Sequence, residues 1–122
     1  MISNAINIDN NSAEIEESKA HTIVEIIDYN PNAMVSKTVI KKTTVNVTVS
    51  SFDAGIELEE KTSPFDNYIQ TIDGTGKLTI RDKDLMLNLG EGVIIPSRTK
   101  HHFIADVQFK MISTVIKSGY ED

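Results

Sequence analysis

One histidine and one lysine are the side chains of this chain best suited to catalysis or ligand binding. His101 can serve a ligand as a general base or as a hydrogen-bond donor. Lys61 can hold a carboxylate, or act as an amine nucleophile where it is desolvated. The chain has no cysteine, which excludes a disulfide framework, a thiolate metal site and a cysteine nucleophile.

Both residues lie in blocks that begin with glycine, and fifteen residues separate the two blocks. The blocks are Gly55-x5-Lys61-x-Ser63-x3-Asn67-x6-Gly74 and Gly90-x5-Pro96-x-Arg98-x2-His101-x3-Ala105. Apolar and polar residues alternate in residues 68–72 and 93–96, which predicts strand-turn-strand units. Because neighbouring residues of a strand point to opposite faces, we expect His102 on the surface if His101 points inward.

The rest of the chain also has the pattern of short strands separated by turn residues. The predicted strands are residues 35–42, 45–50, 56–61, 67–72, 77–81, 85–89, 93–96, 102–107 and 109–117. Short strands in this number predict an all-β sandwich or barrel. The apolar residues expected in the core are Val45, Val47, Val49, Ile69, Ile94, Phe103 and Met111.

The N-terminal part differs in composition from the rest. We expect residues 1–20 to form a loosely held, acidic and polar arm, with one helical turn near residues 12–19, and residues 21–122 to form a single β-barrel domain. Residues 1–30 carry six acidic residues against Lys19 alone. Residues 22–28 predict either a short buried helix or an edge strand, because so short an apolar run has no decisive period.

Length and charge narrow the class of protein. The 122 residues fit one domain, and a net charge of −6 argues against nonspecific binding to nucleic acid, which requires a basic face. No apolar run approaches the roughly 20 residues of a membrane-spanning helix, and the N-terminus lacks the residue order of a signal peptide. We therefore expect a cytoplasmic protein with no membrane partner.

The two glycine-bounded blocks resemble the two conserved motifs of the cupin superfamily. Those motifs are Gly-x5-His-x-His-x3 or 4-Glu-x6-Gly and Gly-x5-Pro-x-Gly-x2-His-x3-Asn, and the spacing here matches them from Gly55 to Ala105. With the flanking strands, the resemblance to small single-domain bacterial cupins covers roughly residues 25–118. It implies a jelly-roll barrel of two antiparallel sheets with a site in its open mouth, as in RmlC-like cupins.

The resemblance places the superfamily's metal-ligand positions at Lys61, Ser63, Asn67 and His101, and only His101 is of a ligand type. A divalent transition metal requires about three or four imidazole or carboxylate ligands. Protonated Lys61 would repel a cation, and Ser63 and Asn67 offer only neutral oxygens. The sequence therefore predicts a degenerate metal site and no divalent metal cofactor.

The candidates for binding a small ligand are Lys61, Ser63, Asn67, Gln70, Arg98 and His101. For His101 the alternative is an inherited histidine satisfied by a neighbour, and for Lys61 it is an ion pair with Glu59 or contact with solvent. Arg98 stands at the turn glycine of the second motif, where a left-handed backbone would cost arginine about 1–2 kcal/mol. Together Arg98, Lys100, His101 and Lys61 would place positive charge around one mouth of the barrel, which suggests an anionic ligand.

Three functions from different classes stay open. The first is a metal-free module that binds a small organic anion. The alternative is an enzyme, either an isomerase or lyase acting on a sugar or carboxylate or a weakly metal-dependent oxygenase, with His101 and Lys61 as the acid-base pair. The third is an interaction role in which the acidic arm swaps onto or bridges a second subunit. The resemblance also implies a homodimer in which one sheet packs against its mate.

Overall fold

A computed structural model describes the backbone of residues 3–4 and 6–11 and all of residues 14–117. These residues form eleven β-strands: β1 Ser3–Asn4, β2 Ile6–Asn11, β3 Ala33–Lys41, β4 Val45–Phe52, β5 Ile56–Glu57, β6 Asp66–Gly74, β7 Gly76–Ile80, β8 Lys83–Leu87, β9 Gly92–Ile95, β10 His101–Ile104 and β11 Phe109–Ile116. In the described part of the chain, the one helical segment is a 3₁₀ turn at Ile23–Glu25. No helix among these residues has the length and apolar character needed to cross a membrane.

The strands form two sheets that enclose the interior as a jelly roll. The five-stranded sheet has the order β1-β5-β10-β7-β8, and the six-stranded sheet has the order β2-β3-β4-β11-β6-β9. Strands β3 to β11 pair antiparallel, whereas β1 and β2 add to the sheets in parallel. The all-β jelly roll of two antiparallel sheets predicted from sequence is thus confirmed.

The N-terminal arm is more regular than its sequence suggests. Strand β1 pairs with β5, and β2 pairs with β3 through contacts such as Ile6 opposite Ala33 and Ile8 opposite Val35. Residues 12 and 13 lie outside the described residues, and residues 14–20 contain no helix. The arm therefore contributes a strand to each sheet, and its separation from the barrel at residue 20 stays a prediction.

Each of the nine strands predicted from sequence has a counterpart among β3 to β11. The largest difference is β5, which spans only Ile56–Glu57, whereas a strand over residues 56–61 was expected. Beyond Glu57 the backbone joins β10 at separate points, with Leu58 donating to Phe103 O at 3.0 Å and Lys61 forming a bridge with His101. Residues 22–28 also differ, because they contain a 3₁₀ turn of three residues, none of them buried, instead of a short buried helix or an edge strand.

The main core lies between the two sheets and centres on aromatic rings. Phe52 and Phe109 stack with ring centroids 4.4 Å apart, and Phe103 packs 6.0 Å from Phe52. Ile69, Phe103 and Met111 belong to this core, as predicted. The prediction for Ile94 is wrong, since its side chain is 64% exposed and Ile95 is the buried residue of β9. Three consecutive apolar residues, 93–95, do not reveal which of them faces inward.

A second, smaller core covers part of the outer face of the six-stranded sheet. Ile27 from the segment after the 3₁₀ turn packs with Ala33, Val35 and Val49. The predicted core residue Val49 is buried, but in this outer core, and Val45 and Val47 are only partly buried. The valines of β4 therefore point away from the barrel interior.

Polar contacts hold the same segment on the sheet. The Lys110 ammonium donates to Val24 O at 2.7 Å and lies 5.0 Å from the centroid of the Tyr29 ring. The Tyr29 hydroxyl donates to Asp73 at 2.6 Å. Burial, and to a lesser extent the contact with Asp73, raises the pKa of Tyr29. Residues 22–29 are thus fixed to the sheet by both apolar and polar contacts.

The motif glycines occupy turns that require a left-handed backbone. Gly74 has φ +70°, and a Cβ there would overlap the backbone oxygen of Gln108. Gly90 has φ +85° in the turn before β9. Glycine is the residue that adopts such angles without steric cost. These turns lie at the ends of β6, which carries Asn67 of the cavity described next, and of its neighbour β9.

Candidate functional site

A cavity of about 250 Å³ lies inside the barrel between the two sheets. Its volume is just below the roughly 300–1,000 Å³ that is typical of small-molecule pockets. The lining residues are Met34, Ser36, Thr48, Ser50, Leu58, Lys61, Ser63, Asn67, His101, Phe103, Met111, Ser113 and Val115. The four residues at the motif positions, Lys61, Ser63, Asn67 and His101, are therefore brought together, as the spacing predicted.

Lys61 and His101 face each other across a backbone bridge. The amide of Lys61 donates to His101 O at 3.0 Å, and the amide of His101 donates to Lys61 O at 3.1 Å. Two residues paired in this way place their side chains on the same face. Lys61 is exposed and His101 is 4% exposed, so the ammonium marks the mouth of the cavity and the imidazole lies deeper. Within the described residues Lys61 has no ion pair, including none with Glu59.

The imidazole of His101 is held in one orientation by its surroundings. Its Nδ1 lies 3.0 Å from the carbonyl oxygen of Thr99, and its ring meets Phe103 edge-on at 6.1 Å between centroids. A carbonyl oxygen only accepts, so Nδ1 carries the proton of this hydrogen bond. Nε2 is then the ring nitrogen left for a ligand. His102 is only partly buried and lies on the opposite face of β10, which agrees with the alternation predicted for the two histidines.

Ser63 and Asn67 are fixed by short-range contacts. The Ser63 hydroxyl accepts a hydrogen bond from the backbone amide of Phe65 at 3.2 Å. The backbone carbonyl of Ser63 accepts one from the backbone amide of Arg98 at 2.6 Å. The side-chain oxygen of Asn67, Oδ1, accepts a hydrogen bond from the Ser113 hydroxyl at 2.8 Å. The first motif is thereby tied both to the turn of the second motif and to β11.

Four further hydroxyl residues of the cavity were missed in the sequence: Ser36, Thr48, Ser50 and Ser113. The alternation of residues 45–50 predicted a polar face on β4, but the polar face was expected to point to solvent. In the structure Thr48 and Ser50 point into the barrel, because the interior is a polar cavity and a segment of the chain covers part of the outer face. The alternation of residues 45–50 therefore correctly predicted a polar face, but that face was assigned to the solvent side and not to the interior.

Gln70 and Arg98 do not line the cavity. Gln70 lies on the face of β6 opposite to Asn67 and Ile69, and its amide donates to Gly90 O at 3.3 Å. Arg98 is exposed and retains the left-handed backbone of the glycine that it replaces, with φ +58°. Arginine thus occupies a left-handed turn at the position where the second motif has glycine. Of the residues expected to place positive charge at the site, Lys61 and His101 line the cavity, whereas Arg98 and Lys100 do not.

The residues at the metal-ligand positions do not fit a divalent metal. They supply an ammonium, a hydroxyl, an amide and one imidazole, where about three or four imidazole or carboxylate ligands are needed. No group of three histidine, cysteine, aspartate or glutamate residues suited to a metal occurs in residues 14–117. The donor chemistry of this cavity therefore matches an organic ligand better than a metal ion.

Solved structures share this fold. A conserved protein of unknown function from Streptococcus pyogenes is 24% identical, with a TM-score of 0.81 over 87% of this chain and 93% of that one. A cupin 2 conserved barrel domain protein from Leptotrichia buccalis is 27% identical, with a TM-score of 0.74, and the match covers 77% of this chain but 46% of that one. A cupin superfamily protein from Desulfitobacterium hafniense is 17% identical, with a TM-score of 0.79 over 87% of this chain and 97% of that one.

These similarities confirm the resemblance to small cupins at the level of the fold: the chain is a cupin-fold protein. No family model and no curated protein matches the sequence. The function is therefore argued from the cavity itself.

Proposed function

We propose that the protein binds a small organic anion in the barrel cavity without a metal ion. The observation that carries this proposal is the lining of the cavity, which combines an ammonium, an imidazole, an amide and several hydroxyls with no carboxylate. Lys61 at the mouth has no acidic partner among the described residues, so its charge is available to a ligand. The ammonium supplies the positive charge that a metal would supply in a metal-binding cupin.

The net negative charge of the whole molecule disfavours the binding of an anion, so the groups that line the cavity must provide the affinity. A net charge of −6 repels anions at long range. Binding must therefore come from short-range contacts inside the cavity. Because Lys61 is exposed, its charge contributes only about 1 kcal/mol, and the buried polar groups must supply the rest.

Titration calorimetry with pairs of ligands tests the proposal. Each small carboxylic acid is compared with the primary alcohol of the same skeleton, which lacks the negative charge. We expect the acid to bind and the alcohol to bind markedly less. Lys61→Gln should weaken binding of the acid by about threefold to tenfold, whereas Lys83→Gln, which removes an exposed charge on β8, should leave it unchanged. Equal binding of acid and alcohol would refute the proposal.

An enzymatic role is the second candidate, and the fixed imidazole favours it. With Nδ1 bonded to Thr99 O, the Nε2 of His101 can take a proton from a sugar or a carboxylate ligand beside the Lys61 ammonium. This is the chemistry of an isomerase or lyase. If a turnover is found and neither His101→Ala nor Lys61→Ala changes it, this candidate fails.

A further inference from the structure

The cavity holds hydrogen-bond acceptors as well as donors, and this mixture restricts the kind of anion that fits. The inference rests on the proposed function, since it concerns the ligand of the same site. An anion such as a carboxylate only accepts hydrogen bonds. A lining made for a bare carboxylate would therefore present donors alone.

His101 presents an acceptor. Its Nδ1 proton is used on Thr99 O at 3.0 Å, so the neutral ring offers the lone pair of Nε2. The histidine is 4% exposed and lines the cavity. A ligand that covers this nitrogen without donating to it would leave a buried acceptor unpaired, and an unpaired buried polar group is costly.

Ser113 presents a second acceptor for the same reason. Its hydroxyl proton is used on Asn67 Oδ1 at 2.8 Å, and the serine is 7% exposed. The lone pairs of the Ser113 oxygen are therefore free to accept, and the amide nitrogen of Asn67 is free to donate. Asn67 and Ser113 together present both kinds of group to the cavity.

The remaining hydroxyls extend this surface across neighbouring strands. Ser36 and Ser50 are opposite each other on β3 and β4, and their oxygens lie 3.0 Å apart. One of them donates to the other, so the pair retains one donor and several lone pairs. Thr48 lies opposite Ser113 on β11. Part of the inner face of the six-stranded sheet thus forms a floor of hydroxyls in the cavity, which is also lined by His101.

We propose that the ligand is a hydroxylated organic anion. Its carboxylate lies at the Lys61 ammonium, and its hydroxyls donate to His101 Nε2 and to Ser113 while accepting from Asn67 and the Ser36–Ser50 pair. A cationic ligand could also donate to these acceptors, but the ammonium of Lys61 disfavours it. The cavity of about 250 Å³ admits one such molecule of modest size.

Three probes with the same number of carbon atoms separate charge from hydroxylation: gluconate, hexanoate and glucitol. Titration calorimetry measures their binding to the full chain. We expect gluconate to bind most tightly and hexanoate at least about tenfold more weakly, because hexanoate leaves the acceptors unpaired. Glucitol, which lacks the charge, should also bind more weakly than gluconate.

A variant isolates the hydroxyl contribution. Ser113→Ala should weaken gluconate binding by about fivefold to tenfold and should not weaken hexanoate binding, because it removes an acceptor that hexanoate leaves unpaired. Thr114→Val, which removes a hydroxyl from the outer face of the same strand, is the matched control and should change neither. Far-ultraviolet circular dichroism shows whether each variant is folded. If Ser113→Ala does not fold, Thr48→Val provides a second test of the hydroxyls that line the cavity.

The outcomes distinguish the two proposals. Hexanoate binding as tightly as gluconate would overturn the hydroxylated ligand and leave organic-anion binding intact. Glucitol binding as tightly as gluconate would overturn the role of the anion and with it the proposed function. Failure of all three probes to bind would count against both.

Discussion

At the scale of single residues, Arg98 has a left-handed backbone at the position where the second motif has glycine. The turn retains φ +58°, and the amide of Arg98 donates to Ser63 O at 2.6 Å. This contact ties the turn to Ser63 of the first motif, which lines the cavity. The backbone is therefore maintained at a steric cost of about 1–2 kcal/mol.

Replacing this arginine should stabilise the protein. We expect Arg98→Gly to raise the free energy of unfolding by about 0.5–1 kcal/mol, because glycine adopts the left-handed backbone without steric cost but loses more entropy on folding. Denaturant unfolding measures the change. Lys100→Gly, at a neighbouring position without a positive φ, is the control and should not stabilise. A destabilised Arg98→Gly variant would show that the arginine side chain makes a needed contact.

The residues that the sequence could identify in the site are those fixed by spacing. Lys61, Ser63, Asn67 and His101 follow from the two motifs, and the structure brings all four to one cavity. Ser113 could not be identified, because a serine in a strand carries no signal of its own and its role depends on its contact with Asn67. Gln70 was selected for its polarity, but it lies on the other face of β6.

At the scale of elements, β4 shows the limit of alternation as a guide to burial. Its alternating pattern correctly predicts a strand with two different faces. The direction of the faces was inverted, because Thr48 and Ser50 line the interior and Val49 packs under residues of the segment after the 3₁₀ turn. Which face is inside depends on what covers each side of a sheet, and this is decided by distant parts of the chain.

The hydrogen bond from the Tyr29 hydroxyl to Asp73, here called the Tyr29 clamp, helps to hold residues 22–29 on the six-stranded sheet. It should make the stability of the protein depend on pH. The raised pKa of Tyr29 means that the folded state keeps the phenol proton to higher pH than the unfolded state does. The protonated phenol therefore contributes fully to the free energy of unfolding below a pH of about 10, which is the ordinary pKa of tyrosine. This contribution is lost as the pH rises above that value.

We expect Tyr29→Phe to be less stable than the wild type by about 1 kcal/mol at neutral pH, because Asp73 loses its donor. This difference should narrow above pH of about 10, where the wild type loses the contribution of the phenol. Urea unfolding at a series of pH values measures both proteins. A difference that stays constant through the alkaline range would show that the clamp does not titrate as described.

At the scale of the whole molecule, the outer face of the six-stranded sheet carries an apolar row. Ile94 lies opposite Tyr68, Tyr68 opposite Thr114, Thr114 opposite Val47, and Val47 opposite Ile40. Ile94 is 64% exposed, and both Tyr68 and Ile40 are 39% exposed. A second copy of the chain that packed on this row would bury apolar surface that one chain leaves in water.

The homodimer expected from the resemblance is tested on this row. We predict that light scattering gives a dimer for the wild type and a monomer for Ile94→Lys, because a buried lysine without a partner opposes association. Met86→Lys, at an exposed apolar residue of the five-stranded sheet, is the control and should remain a dimer. A monomeric wild type, or a dimer that Ile94→Lys leaves intact, would contradict the assignment.

The central claim is that the cavity serves an organic anion with an ammonium where metal-binding cupins hold a metal. Elemental analysis for Mn, Fe, Co, Ni, Cu and Zn, on protein purified without chelator, tests it most directly. With one imidazole at the ligand positions, we expect less than about 0.1 metal ion per chain. A content near one metal ion per chain would contradict the claim and would assign metal-binding roles to residues of this cavity.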